Sequence, residues 1–380
     1  MLLRRLRVSG LLSFGPKGID LPLKPLNVLI GPNGSGKSNL LEILALLRAT
    51  PRGLLDPVRR SGVGEWFWKG RESSLDAAVD AVIHFPVGTV VELRHILKLT
   101  RRSHRFEVTE ERIERSADGD HSYYCFQNGD AVLNDEPEQG RHLDSPNREE
   151  SILAQLYAPG RYPHLQYLQA SYRRIRLHRR WDFGPASSLR DRQSADGPSD
   201  MLLDGGDNLA LVLSGIKGDT RRRLLHALRD VYDGVIDYRC QVDGGYVSLF
   251  IEEQGDREIA ASRLSDGTLR YMSLLAILLD PNPPLLVAIE EPELGLHPDI
   301  IPTVAELLLD ASRRMQLVVT THSRSLIDSL SDHPSSVVVC EQEDGESRFE
   351  RLDGDRLKVW LDEFSLGKVW SMGELGGNRW

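Results

Sequence analysis

The chain has 380 residues, 40% of them apolar and 27% charged, with a formal net charge of −9. That is enough for one large domain or two ordinary ones around a sizeable core. It excludes a disordered chain and a polycation that coats nucleic acid indiscriminately. Three scattered cysteines, Cys125, Cys240 and Cys340, fit neither a disulfide framework nor a zinc site, so reduced thiols and a cytoplasmic setting are expected.

Arg4, Arg5 and Arg7 interrupt the apolar residues of the N-terminus, unlike the continuous core of a signal peptide. The most apolar segment, 272–279, stops at Asp280 and Pro281, short of the roughly 20 residues a membrane span needs. No membrane partner is expected. In chain order, β-like runs at 6–8 and 27–30 with turns at Gly10, Gly15-Pro16 and Gly18 predict a hairpin feeding a buried strand. GPNGSGKS follows at once, and after it residues 39–47 carry strong helix formers.

Residues 77–85, 89–99, 106–108 and 123–126 alternate as strands between polar turns, which predicts an antiparallel β-rich insert over 51–163 that includes a short helix at 149–157. Residues 164–170 read as a return to the main sheet and 189–206 as an exposed polar loop. Helices are expected at 208–216 and 220–232, then a hairpin of 237–242 and 246–252 across Asp243-Gly244-Gly245. From 264 onward helix and strand alternate: helices at 264–279, 300–314 and 324–330, buried strands at 285–289, 316–320 and 336–340. The expected class is α/β, a P-loop head (1–50 and 164–350) with a mixed central sheet, interrupted by the β-rich insert and followed by a helix and tail at 351–380.

Four motifs carry chemistry. Gly31, Pro32, Asn33, Gly34, Ser35, Gly36, Lys37, Ser38 and Asn39 form a glycine-rich loop whose backbone N–H groups wrap phosphates. Lys37 would neutralise the β- and γ-phosphates of ATP and Ser38 would hold Mg²⁺. The apolar strand 285–289 ends in Glu290 and Glu291, where buried strands deliver carboxylates to a metal and an attacking water. Glu290 is the candidate metal ligand and Glu291 the candidate base; the alternative is that Glu290 to Glu293 only start a helix. Leu264, Ser265, Asp266 and Gly267 open a helix, with Ser265 a good N-cap in its own right. His322 ends a buried strand in Thr320-Thr321-His322-Ser323, within reach of a γ-phosphate or merely structural.

In this order and spacing, the P-loop, LSDGT, the two-acid strand, Pro-Glu-Leu-Gly-Leu-His-Pro and TTHS resemble the ABC-type ATPase heads of the SMC, RecF and OLD group. The opening SGLLSFGPKGIDL and the NLALVLSGI segment share in the resemblance. It implies that LSDGT is the signature motif, that two copies sandwich two ATPs, and that the Ser265 helix of one points at the γ-phosphate in the other. It also implies that 293–298 form the D-loop and that His322 is the switch histidine. Glu290 departs from the Asp many such heads carry, lengthening the metal ligand by one methylene. No glutamine identifies itself as the metal sensor; Gln169 and Gln166, placed on the strand after the insert, are the candidates.

Basic clusters at 173–181, 221–223 and 101–105 stand out on an acidic chain. Arg173, Arg174, Arg176, Arg179 and Arg180 are the leading DNA candidates, with Ile175 and Leu177 expected to face inward and the charges outward. The alternative is a solvated face paired with local acids. Trp360, Trp370 and Trp380 in the tail could dock on a partner or pack on their own head. The resulting expectation is an ATP-hydrolysing homodimer that couples its cycle to DNA or to a separately encoded effector such as a nuclease, in bacterial DNA repair or phage defence. No nuclease domain of its own is expected, given the short stretch that follows His322. The rivals are an ATPase subunit of a membrane transporter and an ATP-gated clamp without turnover.

Overall fold

The computed structural model describes residues 1–59, 61–70, 76–86, 91–116, 121–134, 140–143, 146–156, 160–179, 181 and 184–377. They fall into two compact units, Met1–Ile175 with His333–Glu363 and Val369–Trp380, and Arg176–Asp332 with Phe364–Lys368.

The first unit begins with β1 (Leu3–Ser9), β2 (Ile19–Pro22), β3 (Leu26–Ile30) and α1 (Lys37–Ala49). The strands β4 (Asp76–Phe85), β5 (Val91–Arg102), β6 (Arg105–Arg115), β7 (Ser122–Gln127), β8 (Asp130–Asn134) and β9 (Gly140–His142) follow. After them come α2 (Ile152–Gln155) and α3 (Pro163–Arg173). The second unit holds β10 (Ile175–His178), β11 (Gln193–Ser194), α4 (Leu209–Gly215), α5 (Gly218–Arg229), β12 (Val235–Asp243), β13 (Tyr246–Glu253) and β14 (Arg257–Ala260). It continues with α6 (Asp266–Leu278), β15 (Leu286–Glu290), α7 (Ile301–Ala311), β16 (Gln316–Thr320) and α8 (Arg324–Asp328). The chain returns to the first unit with β17 (Val337–Glu343), β18 (Glu346–Arg351) and α9 (Gly354–Leu361), and ends its regular structure in α10 (Leu366–Ser371).

Period-two patterning builds the large antiparallel sheet of the first unit, ordered β2-β1-β4-β5-β6-β7-β8-β9. Leu3, Leu6 and Val8 of β1 are buried while Arg5 and Arg7 turn to the other face. There a ladder of charges crosses the strands: Arg5 and Arg7 to Asp20, Arg7 and Arg94 to Asp80, Arg94 to Glu114. Burial pushes the Asp80 carboxyl up, yet Arg94 and Arg7 together hold it below the ordinary carboxylate range. The expected division set 51–163 apart from 1–50; in the structure β1 and β2 share one sheet with β4 to β9. β3 runs fully buried and parallel to β17, which pairs antiparallel with β18. In the second unit β10, β15 and β16 lie side by side, β15 and β16 parallel, and β12 to β14 form a separate antiparallel meander.

One segment contradicts the sequence reading. Residues 164–170 are helical, within α3, instead of a strand. His164-Leu165-Gln166-Tyr167-Leu168-Gln169 mimics alternation, but Pro163 occupies the first helical turn and Leu165, Leu168 and Tyr172 are buried at helical spacing. The strand that follows is β10. The expected helix at 149–157 is four residues long, and Tyr157 lies outside the described residues, as do residues 89 and 90 of the expected second insert strand.

A buried polar network pins α2 and α3 to the insert strands. Glu111, 1% exposed, accepts from Ser151 Oγ at 2.5 Å and from the Ile152 backbone N–H at 2.8 Å, and lies 3.0 Å from His95 Nε2. The other His95 nitrogen, Nδ1, is 3.1 Å from Tyr172 Oη. Removing one member of such a network strands the others in a dry interior. Glu111→Ala is therefore expected to destabilise the chain by about 3–5 kcal/mol in chemical denaturation, and a loss of less than about 1 kcal/mol would show that these groups are not held together as described.

Candidate functional site

The glycine-rich loop leaves β3 by a backbone path that only glycine follows. Gly31 has φ 145°, and a Cβ there would sit 2.1 Å from the Cys340 carbonyl oxygen on β17. Gly36 has φ 97°, and a Cβ there would meet Ser347 Oγ at 2.1 Å and Ser13 Oγ at 2.8 Å. α1 then starts at Lys37 with its first-turn N–H groups turned to the loop. Lys37 is buried, its ammonium donating to the carbonyls of Gly31 at 2.7 Å and Pro32 at 2.9 Å. Ser35 is 1% exposed, and its Oγ has no hydrogen-bond partner among the described residues. An orphaned hydroxyl, a buried cation held by the loop's own carbonyls and a helix start fit a phosphate chain.

Ser13 and Ser347, which the sequence reading did not single out, support this turn. Asn39 donates to Ser13 Oγ at 2.7 Å, Ser347 Oγ lies 2.6 Å from the same atom, and the Ser347 N–H donates to the Ser13 carbonyl at 2.8 Å. Ser13 sits after Leu12, a non-glycine residue at φ 53°. No local pattern in SGLLSFG marks it, since its partners come from α1 and β18.

In the second unit β15 ends in the two acids. Glu290 is half-buried; its Oε2 accepts from Arg179 Nε at 3.2 Å and its backbone carbonyl accepts from Trp181 Nε1 at 3.1 Å. Glu291 adopts φ 48°, in the left-handed region that glycine favours. Its N–H donates to the Thr320 carbonyl at 3.0 Å, and its carbonyl accepts from Arg270 Nη2 at 2.5 Å. The carboxylate stays about a third exposed, with Oε1 3.7 Å from His322 Nε2. Glu293 accepts from Thr321 Oγ1 at 2.6 Å and from the His322 N–H at 3.0 Å, so the loop after β15 is tied to the end of β16.

Ser265 caps α6 by accepting from the Thr268 N–H at 3.0 Å. Leu264 is buried, and a Cβ at Gly267 would lie 3.0 Å from the Gly295 carbonyl, so LSDGT and the 293–298 loop make a close backbone approach. Arg190, in the stretch expected to be an exposed loop, donates to the Leu264 carbonyl at 2.6 Å, to the Gly184 carbonyl at 3.2 Å, and pairs with Asp266. Its side chain is 11% exposed, and no sequence signal marks this clamp.

Two sets of candidates fall elsewhere. Gln169 lies in α3, where its amide donates to the carbonyls of Leu153 at 2.6 Å and Leu156 at 3.1 Å. Together with Gln166 it is on a helix, not at a strand end, so neither fits the sensor position expected of it. The leading arginines form no single outward face. Arg173 and Arg174 end α3, Arg173 donating to the Pro51 carbonyl at 3.1 Å; Arg176 on β10 turns its Nε to Met201 Sδ; Arg179 pairs with Glu290. Arg180 lies outside the described residues, as does Trp380. Ile175 and Leu177 are buried as the alternation requires. Arg221, Arg222 and Arg223 pair with Asp237, Asp219 and Asp310. At the β5–β6 turn, residues 101–105 are all exposed, and 102–105 with Arg148 line a groove of about 640 Å³.

Each unit offers one of the hard oxygen donors that Mg²⁺ takes, the exposed Ser38 hydroxyl in the first and the Glu290 carboxylate in the second. Glu290 already carries a guanidinium on Oε2, so a metal there uses the other oxygen or displaces Arg179. The loop geometry yields a prediction: Ser13→Ala, which unties Asn39 and Ser347 from the Gly36 turn, should weaken binding of a fluorescent ATP analogue about two- to tenfold, the range of one hydrogen bond. Unchanged affinity would mean that the turn holds itself.

The sequence matches the family described as "AAA domain, putative AbiEii toxin, Type IV TA system" over residues 26–328. Among solved structures the chain is similar to an SMC head bound to the C-winged helix domain of ScpA, at 16% identity and TM-score 0.60, covering 93% of this chain and 99% of that one. It is also similar to a Pyrococcus furiosus Smc head with an extended coiled coil bound to the C-terminal domain of ScpA, at 14% identity and TM-score 0.56 over 95% and 98%. A third is the Thermotoga maritima SMC head domain, at 13% identity and TM-score 0.51 over 93% and 100%. Comparison with curated proteins gives no match. The fold is that of an SMC-type ATPase head, and the chain belongs to the family of AAA domains that its residues 26–328 match.

Proposed function

We propose that this chain is an ATPase that dimerises around two ATPs and passes the resulting change of shape to DNA or to a protein effector. The observation that carries it is Glu291, a partly exposed carboxylate at the end of β15, held in a left-handed backbone beside His322 on a chain that also has the P-loop. In this reading the loop N–H groups and Lys37 bind the phosphates, and Ser38 and Glu290 would hold Mg²⁺, which would neutralise phosphate charge. Glu291 orients and deprotonates the attacking water, and His322 faces the γ-phosphate. Ser265 and Gly267 bring the N-terminus of α6 to the ATP of a second copy. Leu294, 58% exposed in the loop after β15, is an apolar side chain that such a copy would cover.

Glu291→Gln separates this from a clamp that never turns over. The variant is expected to bind ATP as the parent does, to lose hydrolysis by about a hundredfold or more, and to accumulate as an ATP-bound dimer in size-exclusion chromatography. Turnover at the parental rate would sink the ATPase reading. Among the described residues no helix is long and apolar enough to cross a membrane; stimulation by an integral-membrane partner and not by DNA would favour the transporter alternative.

The exposed β5–β6 tip supports the DNA half better than the 173–180 cluster does. Arg102, Arg105 and Arg148 outnumber the acids that share their groove, Glu107 and Glu149, with which they pair. Neutralising Arg102, Arg105 and Arg148 should reduce the salt dependence of DNA binding by up to about 0.9 per lost phosphate contact and remove any DNA stimulation of the ATPase. A parent that DNA neither binds nor stimulates would leave the protein effector as the output. The similar SMC heads were solved with a ScpA domain bound, and an effector acting in trans, in DNA repair or phage defence, is proposed on that likeness.

A further inference from the structure

Arg270 stands in the second turn of α6, five residues beyond the capping Ser265, and is 4% exposed. A guanidinium so buried requires a purpose or a partner. The partners here are backbone carbonyls: Nη2 donates to Glu291 O at 2.5 Å and Nε reaches Pro292 O at 3.4 Å. Its planar face lies 4.9 Å from the Trp181 ring centroid, and Trp181 Nε1 donates to Glu290 O. Burial pulls the Arg270 pKa down to about 10, with Glu293 and Glu291 opposing, so the group remains charged at neutral pH.

Consecutive carbonyls of 290, 291 and 292 are thus each held by one side chain of a Trp181–Arg270 stack, while the Glu291 N–H is held by Thr320. The residue so gripped is the one non-glycine position of this turn with a positive φ. Side chains other than glycine leave that region when nothing compels them to stay. Rotation of the Glu291 backbone to an ordinary φ would swing its carboxylate away from His322.

We propose that Arg270 is a positioning residue for hydrolysis, fixing the backbone of Glu291 so that its carboxylate addresses the water, and that Trp181 fixes Arg270. The inference rests on the ATPase reading above. It adds that α6, which begins with the signature, holds the base of its own chain in place. Displacing the base by about 1 Å lowers a rate by about a hundredfold while leaving phosphate binding alone.

The test is steady-state ATPase kinetics of the full chain, with ATP·Mg affinity measured separately by a fluorescent ATP analogue. Arg270→Met is expected to lower kcat at least tenfold with the affinity for ATP within twofold of the parent, and Arg270→Lys, which keeps a charge and one donor, to recover part of kcat. Should Arg270→Met fail to fold, Trp181→Phe keeps an aromatic face for Arg270 but removes the bond to Glu290 O and part of the stacking area; a smaller fall in kcat at constant affinity is expected. A kcat within twofold of the parent in folded Arg270→Met, or in Trp181→Phe where the first does not fold, overturns the proposal, as does a loss of affinity that parallels the loss of rate. Glu291→Gln run alongside keeps the two readings apart. If it is inactive while the Arg270 variants turn over normally, only the positioning role falls; if it turns over normally, the ATPase reading falls with it.

Discussion

Two buried parallel strands, β3 and β15, each have to deliver polar groups at their carboxyl ends, and the backbone must turn sharply to do so. Apart from Asn27 near the start of β3, each strand is apolar until its carboxyl end, so the chemistry begins only where the ladder stops. At the end of β3 the turn is made by glycine: Gly31 and Gly36 occupy space that a Cβ would share with Cys340, Ser347 and Ser13. At the end of β15 it is made by Glu291, a non-glycine residue whose backbone is held there by hydrogen bonds with Arg270 and Thr320. Ligands of open α/β folds gather at the carboxyl ends of strands for this reason.

The surroundings of each turn follow from how it is made. A glycine turn needs packing that tolerates no side chain, and Ser13, Ser347 and Asn39 supply it. A glutamate turn needs donors for its carbonyls, and Arg270 and Trp181 supply them at the expense of burying a guanidinium. The same logic reaches LSDGT, whose carbonyls are held by Arg190 and whose Gly267 lets the Gly295 backbone approach.

Much of this was legible in sequence where signal and cause are local. The P-loop, the two-acid strand, the Ser265 cap and the alternation of Ile175 and Leu177 are all patterns of neighbouring residues, and the elements fall where those patterns place them. The errors share a cause: in each, distant partners decide. Residues 164–170 alternate like a strand yet fold as a helix because Leu165, Leu168 and Tyr172 have a face to bury, with Tyr172 against His95 seventy-seven positions earlier. The arginines of 173–179 read as one outward stripe because their partners, Pro51, Met201 and Glu290, lie far off in the chain. The roles of Arg190, Arg270 and Ser13 in holding those turns carried no local signal, for the same reason.

The central claim is that a P-loop in one copy of this chain works with the LSDGT helix of another. Mixing two variants tests it directly, one lacking the loop ammonium (Lys37→Ala) and one with the helix start blocked (Ser265→Arg), each folded and each inactive alone. The account predicts that ATP hydrolysis returns on mixing, because a dimer of one of each contains one intact pair of elements. If the mixture stays as inactive as its components while ATP still binds to the Ser265→Arg chain, hydrolysis does not require a second copy and the dimeric account is wrong.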